Sequence, residues 1–226
     1  MSSPLPDRSH TPVLLSASIP DEIAGTPNAQ RIYGYVTVLV RSLLGAGIPL
    51  IFGGHPTITP LVHRAAKALG DRKPSISLYQ LERFRGQEPP ETADNAVFDD
   101  THWLGDPNLD IEADLVQLRD PMTAQAQAAV FIGGKTTGFS GGKPGIRDEY
   151  ERFRTHHPDG PAYLIGRLGG ETIRLIAEAT AGIDLEHNGL TPEARREVHT
   201  SDDESLVAAL IVQDLRQRLG KDRVEA

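Results

Sequence analysis

Short apolar runs and longer amphipathic stretches alternate along the chain. Pro12 to Pro20 begins apolar and ends in small hydroxyl residues, which predicts a first strand. Asn28 to Leu44 follows with Tyr33, Val36, Leu39 and Leu43 near helical spacing, and Gly45 and Gly47 stop it. Ile48 to Phe52 predicts a short buried strand that leads directly into Gly53-Gly54. Thr59 to Leu69 predicts a helix closed by Gly70, and Ser75 to Leu81 a third strand. Gly86 to Asn95 is polar and predicts a loop, with a short strand at Ala96 to Phe98. Asp110 to Met122 predicts a helix that Pro121 breaks or ends. Ala128 to Ile132 is the clearest later strand, running into Gly133-Gly134 and a glycine-rich loop, with a helix starting near Gly145. Ala162 to Ile165 predicts another strand, Gly166 to Gly170 a turn, and Glu171 to Ala179 a helix. The polar stretch from Ala181 to Ser201 predicts a loop. Ser201 to Leu219 predicts a final helix, with Ser201 and Glu204 at capping-box spacing and a stripe of Leu206, Leu210, Ile211 and Leu215.

Short apolar strands alternating with amphipathic helices specify an α/β fold, a Rossmann-like three-layer sandwich with a mostly parallel central sheet covered on both faces. At about 150 residues per domain, 226 residues make one large domain or two small ones. No linker or internal repeat interrupts the pattern. The expectation is a flexible N-terminal lead at 1–11 and one domain over 12–226, with the last helix packing on it.

Charge and composition narrow the function. There are 23 Lys and Arg against 31 Asp and Glu, a formal net charge of −8. That argues against a nucleic-acid coat or a binder of anionic membranes, while leaving room for a local anion pocket. Cysteine is absent, which removes disulfides, thiolate metal sites and a cysteine nucleophile, and fits a reducing, cytoplasmic setting. Met1 to Thr11 does not read as a signal peptide, and no apolar run approaches the roughly 18 residues of a membrane span. The histidines form no metal motif: His156-His157 are adjacent but have no HExxH context.

In an open α/β sheet, ligands bind beyond the carboxyl ends of the strands. Small residues recur there: Ser16-Ala17-Ser18, Gly53-Gly54-His55, Gly133-Gly134 and Gly166-Arg167. Such turns let backbone N–H groups approach an anion, with the following helix adding its N-terminal dipole; they also simply punctuate short loops. No GxGxxG follows the first strand. Gly134-Lys135-Thr136 lacks the first glycine of a P-loop, since Ala129 stands in its place. Neither a standard nicotinamide dinucleotide site nor a P-loop ATPase is therefore expected.

The segment from Val130 to Phe153, VFIGGKTTGFSGGKPGIRDEYERF, resembles the SLOG superfamily, which joins Sir2-like and LOG ("lonely guy") nucleotide-binding domains. Gly133-Gly134 resembles its strand-end glycine pair, Gly145 its turn before a helix, and Glu149 its acid. Arg119 and Met122 resemble its Arg…Met helix, and the turns at Ser16–Ser18 and Gly53-Gly54 resemble its earlier ones. LOG phosphoribohydrolases carry a compact PGGxGTxxE. Here Ile132 replaces the proline, Ile146 replaces the threonine, and Lys135 to Pro144 intervene between the glycines. That departure resembles the sensor or effector SLOG domains of bacterial conflict systems. The resemblance implies binding of a nucleotide or nucleotide-sugar ligand, a role as a bacterial defence or signalling sensor, and a homo-oligomer; it implies no cofactor and no metal. The alternative it implies is N-glycosidic hydrolysis, with Glu149 and Arg119 as the catalytic pair. A carboxylate there stabilises the cationic ribose, and an arginine forks onto phosphate. Both residues also read as ordinary helix-surface charges. Lys135, Lys143 and Arg147 put positive charge around the glycine loop, where Thr137 and Ser140 add hydroxyls, and His55 is the histidine best placed for the pocket. Any of these can equally be a solvated loop residue. Tyr33 or Phe84 can stack on a base.

Overall fold

β1 (Val13–Ser18), α1 (Ala29–Gly45), β2 (Leu50–Gly53), α2 (Thr59–Leu69), β3 (Ile76–Leu81) and β4 (Asp100–Leu104) form the first half of the chain. α3 (Ile111–Gln125), β5 (Ala128–Gly133), α4 (Gly145–His156), β6 (Ala162–Ile165), α5 (Gly170–Ala179), α6 (Pro192–Thr200) and α7 (Glu204–Asp222) complete it. This is a computed structural model, and it describes residues 12–70, 74–87, 97–138, 141–179 and 186–222. The lead at 1–11 and Ser140 lie outside the described residues.

The six strands pair in parallel in the order β4-β3-β2-β1-β5-β6. Alternation along the strands divides the core. Val13 and Leu15 face one way, where they pack with Val36 and Leu39 of α1, Val62 of α2, Val198 of α6 and Ile211 of α7. Leu14 and Phe131 face the other way, with Leu118 and Met122 of α3, Phe153 of α4 and Leu175 of α5. The fold is thus an α/β Rossmann-like three-layer sandwich, and its sheet is parallel throughout.

Four elements differ from the sequence expectation. Val97 and Phe98 are not a strand, and Ala96 lies outside the described residues. The edge strand is instead Asp100–Leu104, in which no residue is fully buried, so it carries no apolar run. Helix α3 passes through Pro121 to Gln125. An interior proline costs about 3 kcal/mol, and here Leu118 and Met122 on either side are buried in the core and hold the segment helical. Within the expected loop Ala181–Ser201, the stretch Pro192–Thr200 is α6, started by Thr191, whose hydroxyl accepts from the Ala194 N–H at 3.2 Å. Residues 181–185 lie outside the described ones.

The last helix begins later than its capping-box spacing suggests. Ser201 ends α6, and its hydroxyl accepts from the Asp203 N–H at 3.2 Å. The Asp203 carboxylate accepts from the Ser205 and Leu206 N–H groups at 2.9 and 3.0 Å and is the cap. The buried stripe is correspondingly Val207, Ala208, Ile211 and Leu215, with Leu206 turned outward. Asp203→Ala is expected to lower unfolding free energy by about 1 kcal/mol, and Ser201→Ala by less. Urea denaturation of the two variants checks this, and the reverse ranking would return the cap to Ser201.

Candidate functional site

The strand order reverses between β1 and β5: β2, β3 and β4 extend to one side, β6 to the other. In sheets of this kind a crevice opens at the carboxyl ends where the order reverses. A cavity of about 1160 Å³ lies there. It reaches from the start of α4 across β1 and β2 to the end of β3, with α3 as its outer wall.

The turn after β1 contributes Ser16, Ala17 and Ser18 to the lining, and the turn after β2 contributes Gly53, Gly54 and His55. The loop after β5 adds Lys135, Thr137, Lys143 and Gly145; α3 adds Arg119, and α4 adds Glu149. Gly133, Gly134, Arg147, Gly166 and Arg167 are not among the described residues that line it. Gly133 and Gly134 have φ of +68° and +93°. A β-carbon on Gly133 would lie 2.6 Å from the Ser18 carbonyl, and one on Gly134 would lie 2.7 Å from Ile146. These two glycines let β5 turn tightly beneath the site. Arg147 forks onto Glu178 at 2.7 and 3.0 Å and pairs with buried Glu171. Arg167 forks onto Asp202 at 2.6 and 2.9 Å.

Four side chains from three elements meet at the floor. Arg119 Nε lies 3.3 Å from Glu149 Oε1, and Arg119 NH1 lies 3.1 Å from Asp148 Oδ2. The Ser16 hydroxyl lies beside the Glu149 carboxyl and favours its charged form. Asp148 is held further by Arg152 at 3.2 Å and approached by Lys143 at 3.8 Å. The second terminal nitrogen of Arg119 lies against Gly145, where a β-carbon would come within 2.8 Å of it. Burial pushes the Glu149 carboxyl above its ordinary value, with Asp148 adding to the rise, against the pull of Arg119 and Ser16. His55 is pushed the other way, by burial and by Lys135. Its Nδ1 accepts from the Thr57 N–H at 3.2 Å, so the neutral ring carries its proton on Nε2.

Patterning missed several lining residues. Asp148 is the hub of the ion-pair network, and its i,i+4 spacing to Arg152 was the available signal; its pairing with Arg119 is a tertiary fact. Gln80, next to last in β3, has its amide oxygen shielded from solvent and without a hydrogen-bond partner among the described residues. Phe84 lines the cavity, whereas Tyr33 does not. The described lining holds five carboxylates, on Asp21, Asp110, Glu112, Asp148 and Glu149, against three cations. Asp110 is occupied in capping α3, at 3.0 and 2.9 Å from the Glu112 and Ala113 N–H groups. No group of three or more potential metal-ligating side chains occurs among the described residues. Likewise, no helix among them is long and apolar enough to cross a membrane.

A family model described as the SLOG cluster3 family matches residues 22–190, from the start of the turn after β1 to the segment before α6. The chain belongs to the SLOG cluster3 family. The matched stretch contains β2 to β6 and, with them, Arg119, Glu149 and the whole glycine loop. TM1055, solved by X-ray crystallography, is similar in fold to this SLOG cluster3 chain. It has a TM-score of 0.54 and 17% identity, over 90% of this chain and 99% of that one. The molybdenum cofactor carrier protein MCP from Chlamydomonas reinhardtii has a TM-score of 0.48 and 15% identity, over 92% and 99%. No curated protein matches the chain.

The raised carboxyl gives a prediction with a definite sign. The folded chain holds the Glu149 proton more tightly than the unfolded chain does. The stability this confers is present in acid, below the ordinary carboxyl value of 4.5, and is lost as pH rises through the elevated value. Glu149→Gln, which mimics the protonated form, should therefore be more stable than the parent at pH 7. Its advantage should shrink as pH approaches 4.5. Urea denaturation at both pH values measures the difference, and a less stable variant at pH 7 would contradict it.

Proposed function

We propose that this SLOG cluster3 domain binds a nucleotide or nucleotide-sugar at the carboxyl edge of its sheet and serves as a sensor in bacterial defence or signalling. The observation that carries the reading is the 1160 Å³ cavity at the strand-order reversal, lined by the turns after β1, β2 and β5 together with Arg119, Lys135 and Lys143. Helix α4 starts there after Pro144, with no side-chain cap on its first N–H groups. Those groups, the outer edge of Arg119 and Lys143 suit a phosphate, with Ser18 and Thr137 as hydroxyl donors. The excess of carboxylates in the same lining disfavours a long polyphosphate, so a ligand with one phosphate group fits the charge better. Gly133 and Gly134 shape the turn beneath the site, whereas Gly166, Arg147 and Arg167, the last two paired with carboxylates elsewhere, are left out of the reading. Resemblance to LOG-like domains adds a cytoplasmic homo-oligomer to the reading, which light scattering of the purified protein tests.

One observation favours a second reading, N-glycosidic hydrolysis in the manner of a phosphoribohydrolase. Glu149 is a largely buried carboxyl with a raised pKa, held between Ser16 and Arg119. In the hydrolysis, the bond from C1′ of the ribose to the base nitrogen breaks, water adds to C1′, and the base leaves carrying a proton. An ionised Glu149 beside C1′ would stabilise the developing positive charge. The ten residues from Lys135 to Pro144, which enlarge the loop that LOG enzymes keep compact, weigh toward binding without turnover.

Calorimetry with nucleoside monophosphates, run beside an assay of base release, separates the two. Arg119→Lys keeps the charge near Asp148 and Glu149 but loses the planar fork, and should weaken binding by roughly tenfold or more. Glu149→Gln should leave binding largely intact. If the protein turns over, this variant should slow base release by at least about a hundredfold. Tight binding without release by the parent selects the sensor; release unaffected by Glu149→Gln removes that residue from catalysis. No binding by any monophosphate would end the nucleotide reading.

A further inference from the structure

Helix α7 carries an unbroken apolar run, LVAALIV, from Leu206 to Val212. At 3.6 residues per turn, such a run makes about two turns and cannot all face one side. One side is used: Val207, Ala208, Ile211 and Leu215 are buried in the core shared with α1. The other is not. Leu206 is 40% exposed, Ala209 is exposed, and Leu210 and Val212 are only partly covered. A helix that packs by one face alone carries polar residues on the opposite face. This one is apolar on both. It lies beyond residues 22–190, outside the stretch matched to the SLOG cluster3 family.

The outward face offers both a knob and a hole. Leu206 is the knob. The hole is a depression of about 450 Å³ lined, among the described residues, by Ala209, Val212, Gln213, Arg216 and Gln217. The first four stand at i, i+3, i+4 and i+7, the set that receives one side chain of a facing helix in a coiled coil. Ala209, the smallest of them, permits close approach of that helix.

The face is complementary to itself. The hole is centred between Val212 and Gln213, and Leu206 lies about two turns before it. In an antiparallel pair of α7 helices, a twofold axis beside Ala209 places each Leu206 in the hole of the other copy. The contacts are then reciprocal, as an isologous interface requires. The same register matches charge. Asp203 lies six residues before Ala209, and Arg216 seven after it. The acidic start of each helix, Asp203 and Glu204, therefore falls beside Arg216 of the other copy. A knob, its hole and the two signs of charge all on one helix fit a second copy of this chain.

We infer that the outward face of α7 is a homodimer interface, in which Leu206 of each copy seats between Ala209, Val212, Gln213 and Arg216 of the other. The inference rests on the homo-oligomer in the reading above and deepens it by naming the surface.

Light scattering and cross-linking of the full chain test it. The parent should have at least twice the monomer mass. Ala209→Glu puts a charge at the axis, on a position already exposed, and should halve that mass. The chain has no cysteine, so Ala209→Cys and Gln217→Cys each carry a single thiol. The two copies of residue 209 meet at the axis, whereas those of residue 217 lie about 24 Å apart along the helices. A short bis-maleimide should link Ala209→Cys into covalent dimers and leave Gln217→Cys monomeric on a denaturing gel. A monomeric parent removes both the interface and the homo-oligomer. A parent oligomer whose mass survives Ala209→Glu overturns the interface and leaves the homo-oligomer standing. Linking of Gln217→Cys as readily as Ala209→Cys does the same. Cross-linking reads the interface whether or not Ala209→Glu folds.

Discussion

The pairing of β1 with β5 along all six residues of each strand, from Val13 with Ala128 to Ser18 with Gly133, places the ends of two distant chain segments side by side. More than a hundred residues separate them in sequence, and the strand order turns around at this seam. Because every strand runs the same way, each delivers its following turn to one edge of the sheet. The tight reversal at Gly133-Gly134 is closed by the Gly134 N–H donating to the Ser18 carbonyl at 2.9 Å. Ser16 on β1, Arg119 on the helix entering β5 and Glu149 on the helix leaving it can meet because of this register.

Bringing those side chains together has an electrostatic cost. A carboxylate and a guanidinium lose much of their hydration when buried, and their mutual attraction only partly offsets the loss. Glu149 shows the imbalance: Arg119 and Ser16 draw its proton off, yet burial outweighs them. Asp148 is better supplied, with Arg119, Arg152 and Lys143 around it. One acid is therefore saturated and the other is left under tension in a cavity wall. That asymmetry between adjacent residues on one helix suits Asp148 to holding Arg119 in place and leaves Glu149 the less neutralised of the two.

The two ends of the cavity carry different chemistry. Cations, hydroxyls and helix N–H groups gather where α4 begins, and an aromatic ring with an amide gathers where β3 ends. The acidic excess between them makes the chain a poor general trap for anions, consistent with its overall charge of −8. Selectivity then depends on geometry more than on net attraction.

Much of the frame was legible in the amino-acid sequence. Apolar runs such as AAVFI and periodic stretches such as Asn28–Leu44 marked strands and helices, because each local segment had to bury one face. The turns at Ser16–Ser18 and Gly53–His55 could be assigned to one carboxyl edge once the strands were read as parallel, and the Gly133-to-Glu149 segment carried the resemblance to the SLOG superfamily. Local pattern failed where distant packing decided the outcome: at Pro121, held helical by Leu118 and Met122, and at α6, whose polar surface conceals a single buried anchor at Val198. The division between Arg119, which enters the cavity, and Arg147 and Arg167, which pair with Glu178 and Asp202, was equally invisible. So was the orphaned oxygen of Gln80. A residue's type and spacing follow from the chain itself, but whether its charge is already neutralised, or its hydrogen bond already made, depends on partners tens of residues away that only the folded structure brings within 3 or 4 Å of it.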